Sequence, residues 1–134
     1  MSFRFAGFRL PMATFDRFEE IEAWQLARKL TASIYALTRS GEFAKDYALR
    51  DQIRRASNSI MSNIAEGHES RTRSLFIDLL GRAKGSCGEV RSQLYVALDA
   101  GYMTADEFER HRTDAELCSR KIQKLMDYLK GLDR

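Results

Sequence analysis

Long uncharged runs are absent from this 134-residue sequence. A membrane-crossing helix needs about 20 consecutive apolar residues, so no membrane partner is expected. Proline is nearly absent as well: Pro11 stands alone, against an average usage of about 5%. Nothing therefore interrupts long helices. The two cysteines, Cys87 and Cys118, each fall on an apolar helical stripe and read as buried free thiols of a cytoplasmic protein. A disulfide would require the two stripes to face each other at bridging distance. The two histidines, His68 and His111, belong to no Glu-x-x-His pair, because Glu66 is followed three positions on by Glu69 and Glu89 by Ser92. That excludes the di-iron arrangement of helical bundles. Zinc spacings, nucleophile elbows and dinucleotide fingerprints are also missing. The expectation is a protein with no catalytic residue, no metal and no cofactor, and not an enzyme. The first ten residues place Arg4 and Arg9 within their apolar run, which makes a poor signal peptide.

What is present is helical periodicity. Hydrophobic residues at 44% and charged residues at 31% describe a soluble globular chain, and the length fits one domain. Residues 1–17, with Gly7, Pro11 and the aromatics Phe3, Phe5, Phe8 and Phe15, read as an arm that straps across an apolar surface or engages a partner. The bundle domain is expected over residues 18–134. A first helix over Phe18–Thr38 carries the seam Trp24, Ala27, Leu30, Ile34 and Leu37, with Asp16 as its cap and Ser40-Gly41 as its stop. Residues 39–46 are expected to be a loop. A second helix spans Asp46–Glu69. A third spans Thr72–Ala100 on the seam Phe76, Leu79, Ala83, Cys87, Val90, Leu94 and Ala97. Thr104 with Glu107 forms a capping box that opens a fourth helix, which runs to about Gly131 along Phe108, Ala115, Cys118, Ile122, Leu125, Leu129 and Leu132. Four long helices, short connections and no strand pattern predict an all-α antiparallel up-and-down four-helix bundle.

The second helix is unusual. Ile53, Ala56, Ile60, Ile64 and Gly67 form an apolar seam, and Gln52, Ser59, Asn63 and Glu66 form a polar line beside it. Short amides and hydroxyls suit fixed hydrogen bonds better than a solvated face does. A structural polar network of Gln52, Ser59, Asn63 and Glu66 with Ser86 and Glu89 of the third helix is therefore expected at a helix or subunit contact. Gly81, Gly85 and Gly88 each cost up to about 1 kcal/mol inside a helix, which predicts that another helix comes close there. Tyr35, Met61, Leu80 and Tyr95 lie off the main seams and are expected to supply an intersubunit surface. Charge is uneven: residues 50–91 hold eight Arg/Lys against five Asp/Glu, while residues 104–134 hold seven of each. Arg50, Arg54, Arg55, Arg71, Arg73, Arg82 and Lys84 are accordingly the candidate nucleic-acid-binding residues. Arg50, Arg54, Arg71 and Arg73 are expected to lie near one another.

The residues Gln52-Ile53-Arg54-Arg55-Ala56, Ser59-Ile60 and Asn63-Ile64-Ala65-Glu66-Gly67 resemble the signature of bacterial four-helix-bundle proteins related to those encoded in intervening sequences of large-subunit ribosomal RNA genes. Ala83-Lys84-Gly85-Ser86 with Glu89, Trp24-Gln25 with Ala27, and Ala100-Gly101-Tyr102 are similar to further motifs of that family. Met61 stands where the family often has proline. The resemblance covers roughly residues 18–130 and implies a bundle that assembles into a ring-like homopentamer associated with nucleic acid, either RNA or DNA. The alternative it implies is a scaffold that docks a protein partner, as in retroelement accessory proteins.

Overall fold

The computed structural model describes residues 15–132. The expected arm residues Phe3, Phe5 and Phe8 lie outside that range. Among the described residues there are five α-helices and one 3-10 turn, and no strand. The turn is Phe18–Glu20, followed by α1 (Glu22–Leu37), α2 (Gly41–Lys45), α3 (Tyr47–Glu69), α4 (Arg73–Asp99) and α5 (Ala105–Gly131). The described residues are all-α, and the packing of the four long helices is consistent with an antiparallel four-helix bundle. Thr31 on α1 reaches the Ser57 carbonyl on α3, Ser59 on α3 meets Ser86 on α4, Arg91 on α4 meets Glu116 on α5, and Lys121 on α5 meets Glu22 on α1.

The expected seams are the observed core. Ile53, Ala56, Ile60, Ile64 and Gly67 are all buried on α3, as are all seven seam residues of α4. Each fully buried Leu or Ile contributes about 1.5–3 kcal/mol relative to exposure. On α5, Phe108, Ala115, Cys118, Ile122, Leu125 and Leu129 are buried. The start of α5 carries the expected capping box: Thr104 Oγ1 accepts from Glu107 N, and Glu107 accepts from Thr104 N. That backbone donor holds the Glu107 carboxyl below its ordinary pKa. Cys87 and Cys118 are free and buried, and the neighbouring Cys87 thiol together with burial pushes the Cys118 thiol upward. A thiol held neutral in this way is a weak nucleophile.

Four expectations need correction. The first helix starts at Glu22 rather than Phe18, and Asp16 does not cap it. Ile21 adopts an extended conformation to bury its side chain, and this separates the 3-10 turn from α1. Gly41 does not simply end α1: its φ of +71° is a left-handed turn that leads into α2, so the expected loop contains a helix. Phe43 is the reason, since α2 presents this fully buried ring to the core and to Tyr102, 5.3 Å away. Leu80 is fully buried and cannot serve as an intersubunit residue. Of the α4 glycines only Gly81 faces another helix of the chain, where a Cβ would meet Met126 of α5 at 3.7 Å; a Cβ on Gly85 or Gly88 would meet nothing within 4 Å.

Gly67 is where close approach occurs. A Cβ there would lie 2.8 Å from Phe76 Cδ1 and 3.3 Å from Leu79 Cβ. Gly67→Ala should therefore destabilise the bundle by about 1–3 kcal/mol through overpacking. Gly88→Ala, which points into open space, should stabilise it by up to about 1 kcal/mol. Chemical denaturation of the two variants should move the midpoint in opposite directions.

Candidate nucleic-acid interface

The arginines of α3 divide between two sides of the helix. Arg50 and Arg54 are half-buried and face α1 and α2. Arg54 Nε donates to Thr38 Oγ1 (2.8 Å), and its guanidinium lies over the Tyr35 ring at 4.5 Å. Thr38 is the C-cap of α1, so Arg54 also places a cation at the negative end of that helix. Arg50 donates to the Ala44 carbonyl (3.2 Å) and to Asp51 Oδ1 (2.9 Å), and its guanidinium lies over the Tyr47 ring at 4.8 Å. The Arg50 hydrogen bond, with Arg55 and Arg54 adding their charge, holds the Asp51 carboxyl below its ordinary pKa. Asn58 Nδ2 donates to Tyr35 Oη (2.8 Å), which fixes the second ring. The result is two Arg–Tyr pairs along one flank, and Tyr47 is 65% exposed.

A neighbouring junction holds this flank in place. Asp46 caps α3 by accepting from Leu49 N (3.1 Å), and its other oxygen accepts from Tyr102 Oη (2.9 Å). That bond to a carboxylate raises the Tyr102 pKa. Gly101, with φ +82°, turns the chain so that Tyr102 arrives there.

The remaining candidates are elsewhere. Arg55 is exposed on the outer side of α3. Arg71 and Arg73 are exposed beyond the far end of α3, about 25 Å from Arg54 at 1.5 Å per residue. The expectation that Arg50, Arg54, Arg71 and Arg73 cluster is thus corrected: the length of α3 separates the pairs. Arg82 is exposed and Lys84 half-buried on α4.

The polar line is partly joined. Asn63 Nδ2 donates to the Ser59 carbonyl (2.8 Å) and to Ser59 Oγ (3.0 Å), and Ser86 Oγ donates to Ser59 Oγ (2.9 Å). Ser86 is buried, whereas Gln52, Glu66 and Glu89 are exposed and make no hydrogen bond among the described residues. The two carboxylates lie on the outer edges of α3 and α4, where water solvates them.

Sequence reasoning missed Thr38, Tyr47 and Asn58, and gave Tyr35 only an intersubunit role. The three-residue spacing of Tyr47 and Arg50 is a readable helical pair, but the Tyr35–Arg54 contact joins two helices and leaves no spacing signal. His68 was also unassigned: its Nε2 donates to the Phe15 carbonyl (2.7 Å) and ties the start of the described chain to α3. Among the described residues no group of three His, Cys, Asp or Glu side chains is placed to hold a metal ion, and no helix is long and apolar enough to cross a membrane.

The signature residues of α3 thus build the seam, the Ser59–Asn63–Ser86 bonds and the Arg54 clamp, and the family model for 23S rRNA-intervening sequence proteins matches residues 19–124. The chain belongs to that family. A crystal structure of a protein with unknown function from the S23 ribosomal protein family of Bacteroides thetaiotaomicron is similar in fold, with a TM-score of 0.71 at 20% identity. The match covers 78% of this chain and 97% of that one. No curated protein matches the chain.

Two substitutions separate structural from surface roles within this family member. Arg54→Ala should cost about 1–2 kcal/mol, because it removes the hydrogen bond to Thr38 and the ring contact with Tyr35. Asn63→Ala should cost about 1 kcal/mol by removing two bonds to Ser59. Arg55→Ala should leave the melting temperature within error, and calorimetry of the three variants checks this ranking.

Proposed function

We propose that the chain is a non-enzymatic, cytoplasmic four-helix bundle of up-and-down topology. It assembles with copies of itself, in a ring of five as the family resemblance implies, and binds structured RNA. The observation that carries the binding reading is the pair of Arg–Tyr stacks at Tyr47–Arg50 and Tyr35–Arg54. Aromatic faces and guanidinium planes both stack on unpaired bases, and the arginine charge attracts phosphates. The exposed Arg39 follows Thr38 next to this patch, and Arg55 adds an exposed cation on the outer side of the same helix as Arg50 and Arg54. Membership of a family named for 23S rRNA intervening sequences supports RNA over DNA.

Phosphate binding has a measurable signature. The logarithm of affinity for a structured RNA should fall linearly with the logarithm of salt, by about 0.7–0.9 for each phosphate engaged. Tyr47→Ala should weaken binding by about tenfold or more, since stacking on one base is worth about 1–3 kcal/mol. Arg55→Ala should reduce the salt slope by about one. Gel-shift titration of folded variants gives all three readings. No RNA retention at low salt, together with a partner protein that survives nuclease treatment in a pull-down, would favour the scaffold reading instead.

A further inference from the structure

The outer face of α4 differs from those of α1 and α5. The exposed positions of α5 carry Asp106, Glu109, Arg110, Arg120, Lys124 and Lys130, an ordinary solvated surface. Along α4 one exposed stripe instead reads Leu75, Asp78, Arg82, Gly85, Glu89, Ser92 and Val96. Leu75 is 45% exposed and Val96 52% exposed, one at each end of the stripe. Arg82 and Glu89 are two turns apart between them, and neither makes an ion pair among the described residues. At the centre, a Cβ on Gly85 would meet no atom within 4 Å.

This arrangement is self-complementary. Arg82 and Glu89 lie equally far from a point between Gly85 and Ser86, and so do Leu75 and Val96. When two such helices cross antiparallel about that point, Arg82 of each faces Glu89 of the other, and Leu75 of each faces Val96 of the other. The missing side chain at Gly85 lets the two backbones approach at the axis. We infer that the outer face of α4 docks a second copy of the same chain about a two-fold axis at Gly85. The charge pattern selects this occupant, because an unrelated helix has no reason to repeat it in reverse. The contact is isologous, whereas a ring of five is built from heterologous contacts, so this pairing is additional to the ring and independent of RNA binding.

Charge reversal on the full chain tests it. Light scattering should show masses in multiples of two chains of 15.4 kDa each. Arg82→Glu and Glu89→Arg should each weaken the pairing by about tenfold or more, since each sets like charges opposite one another. An equimolar mixture of these two variants should pair again, because each then supplies the charge the other lacks. The double variant should pair with itself. Gly85→Trp should abolish pairing with an unchanged circular dichroism spectrum, and Gly85→Cys should form a disulfide-linked dimer on mild oxidation. Pairing by the single variants at wild-type strength, failure of the mixture to recover, or a wild-type monomer at the highest concentration reached would overturn the inference. A wild-type pentamer untouched by all these substitutions would also overturn it, while leaving the ring and the RNA reading standing.

Discussion

The separation of α3 and α4 is set where Gly67 has no side chain. Phe76 and Leu79 occupy the space a Cβ would need, so the two helices come close beside the turn that joins them. About two turns further along α3, Ser59 lies beside Ser86 of α4, and the two hydroxyls bond at 2.9 Å. Interiors are packed too tightly to absorb a change of spacing smoothly. The register of this pair therefore determines which residues of both helices face outward, including the α4 stripe and the carboxylates Glu66 and Glu89.

A second set of contacts works at the opposite end. Asp46 joins the start of α3 to Tyr102, while Phe43 is buried against the same ring. Arg50 ties the Ala44 carbonyl to α3, and Arg54 ties α3 to the last turn of α1. The same two guanidiniums cover the Tyr47 and Tyr35 rings. The same two arginines thus hold backbone groups and rings together, and removing either alters both. Changing Lys for Arg there would keep the charge and lose the planar stack.

Much of the helical plan was legible in the sequence because burial imposes a period of three to four. The seams of α3, α4 and α5 were readable almost residue by residue, as was the Thr104 capping box. The short α2 was not readable, since five residues hold too little periodicity and Gly41 reads equally as a stop. The polar line showed that Ser59, Asn63 and Ser86 belong together, yet it also enrolled Gln52, Glu66 and Glu89. Helical spacing gives an azimuth to within tens of degrees, and that margin separates a half-buried Asn from an exposed Glu. The Arg54–Tyr35 pair joins residues 19 positions apart on different helices, and no local pattern encodes such a meeting.

The first turn of α1 and the last turns of α5 lie side by side. Ile21, Ala23, Leu125 and Tyr128, with Phe15, line a groove of about 280 Å³ between them. The two ends of the helical core therefore leave the bundle together, at the end away from Asp46 and Tyr47. A short peptide could join them, and the chain could be reopened at the turn between α4 and α5 to give a circular permutant. A reporter domain joined at Phe15 or Leu132 would emerge at that same end, leaving the Arg–Tyr flank unobstructed.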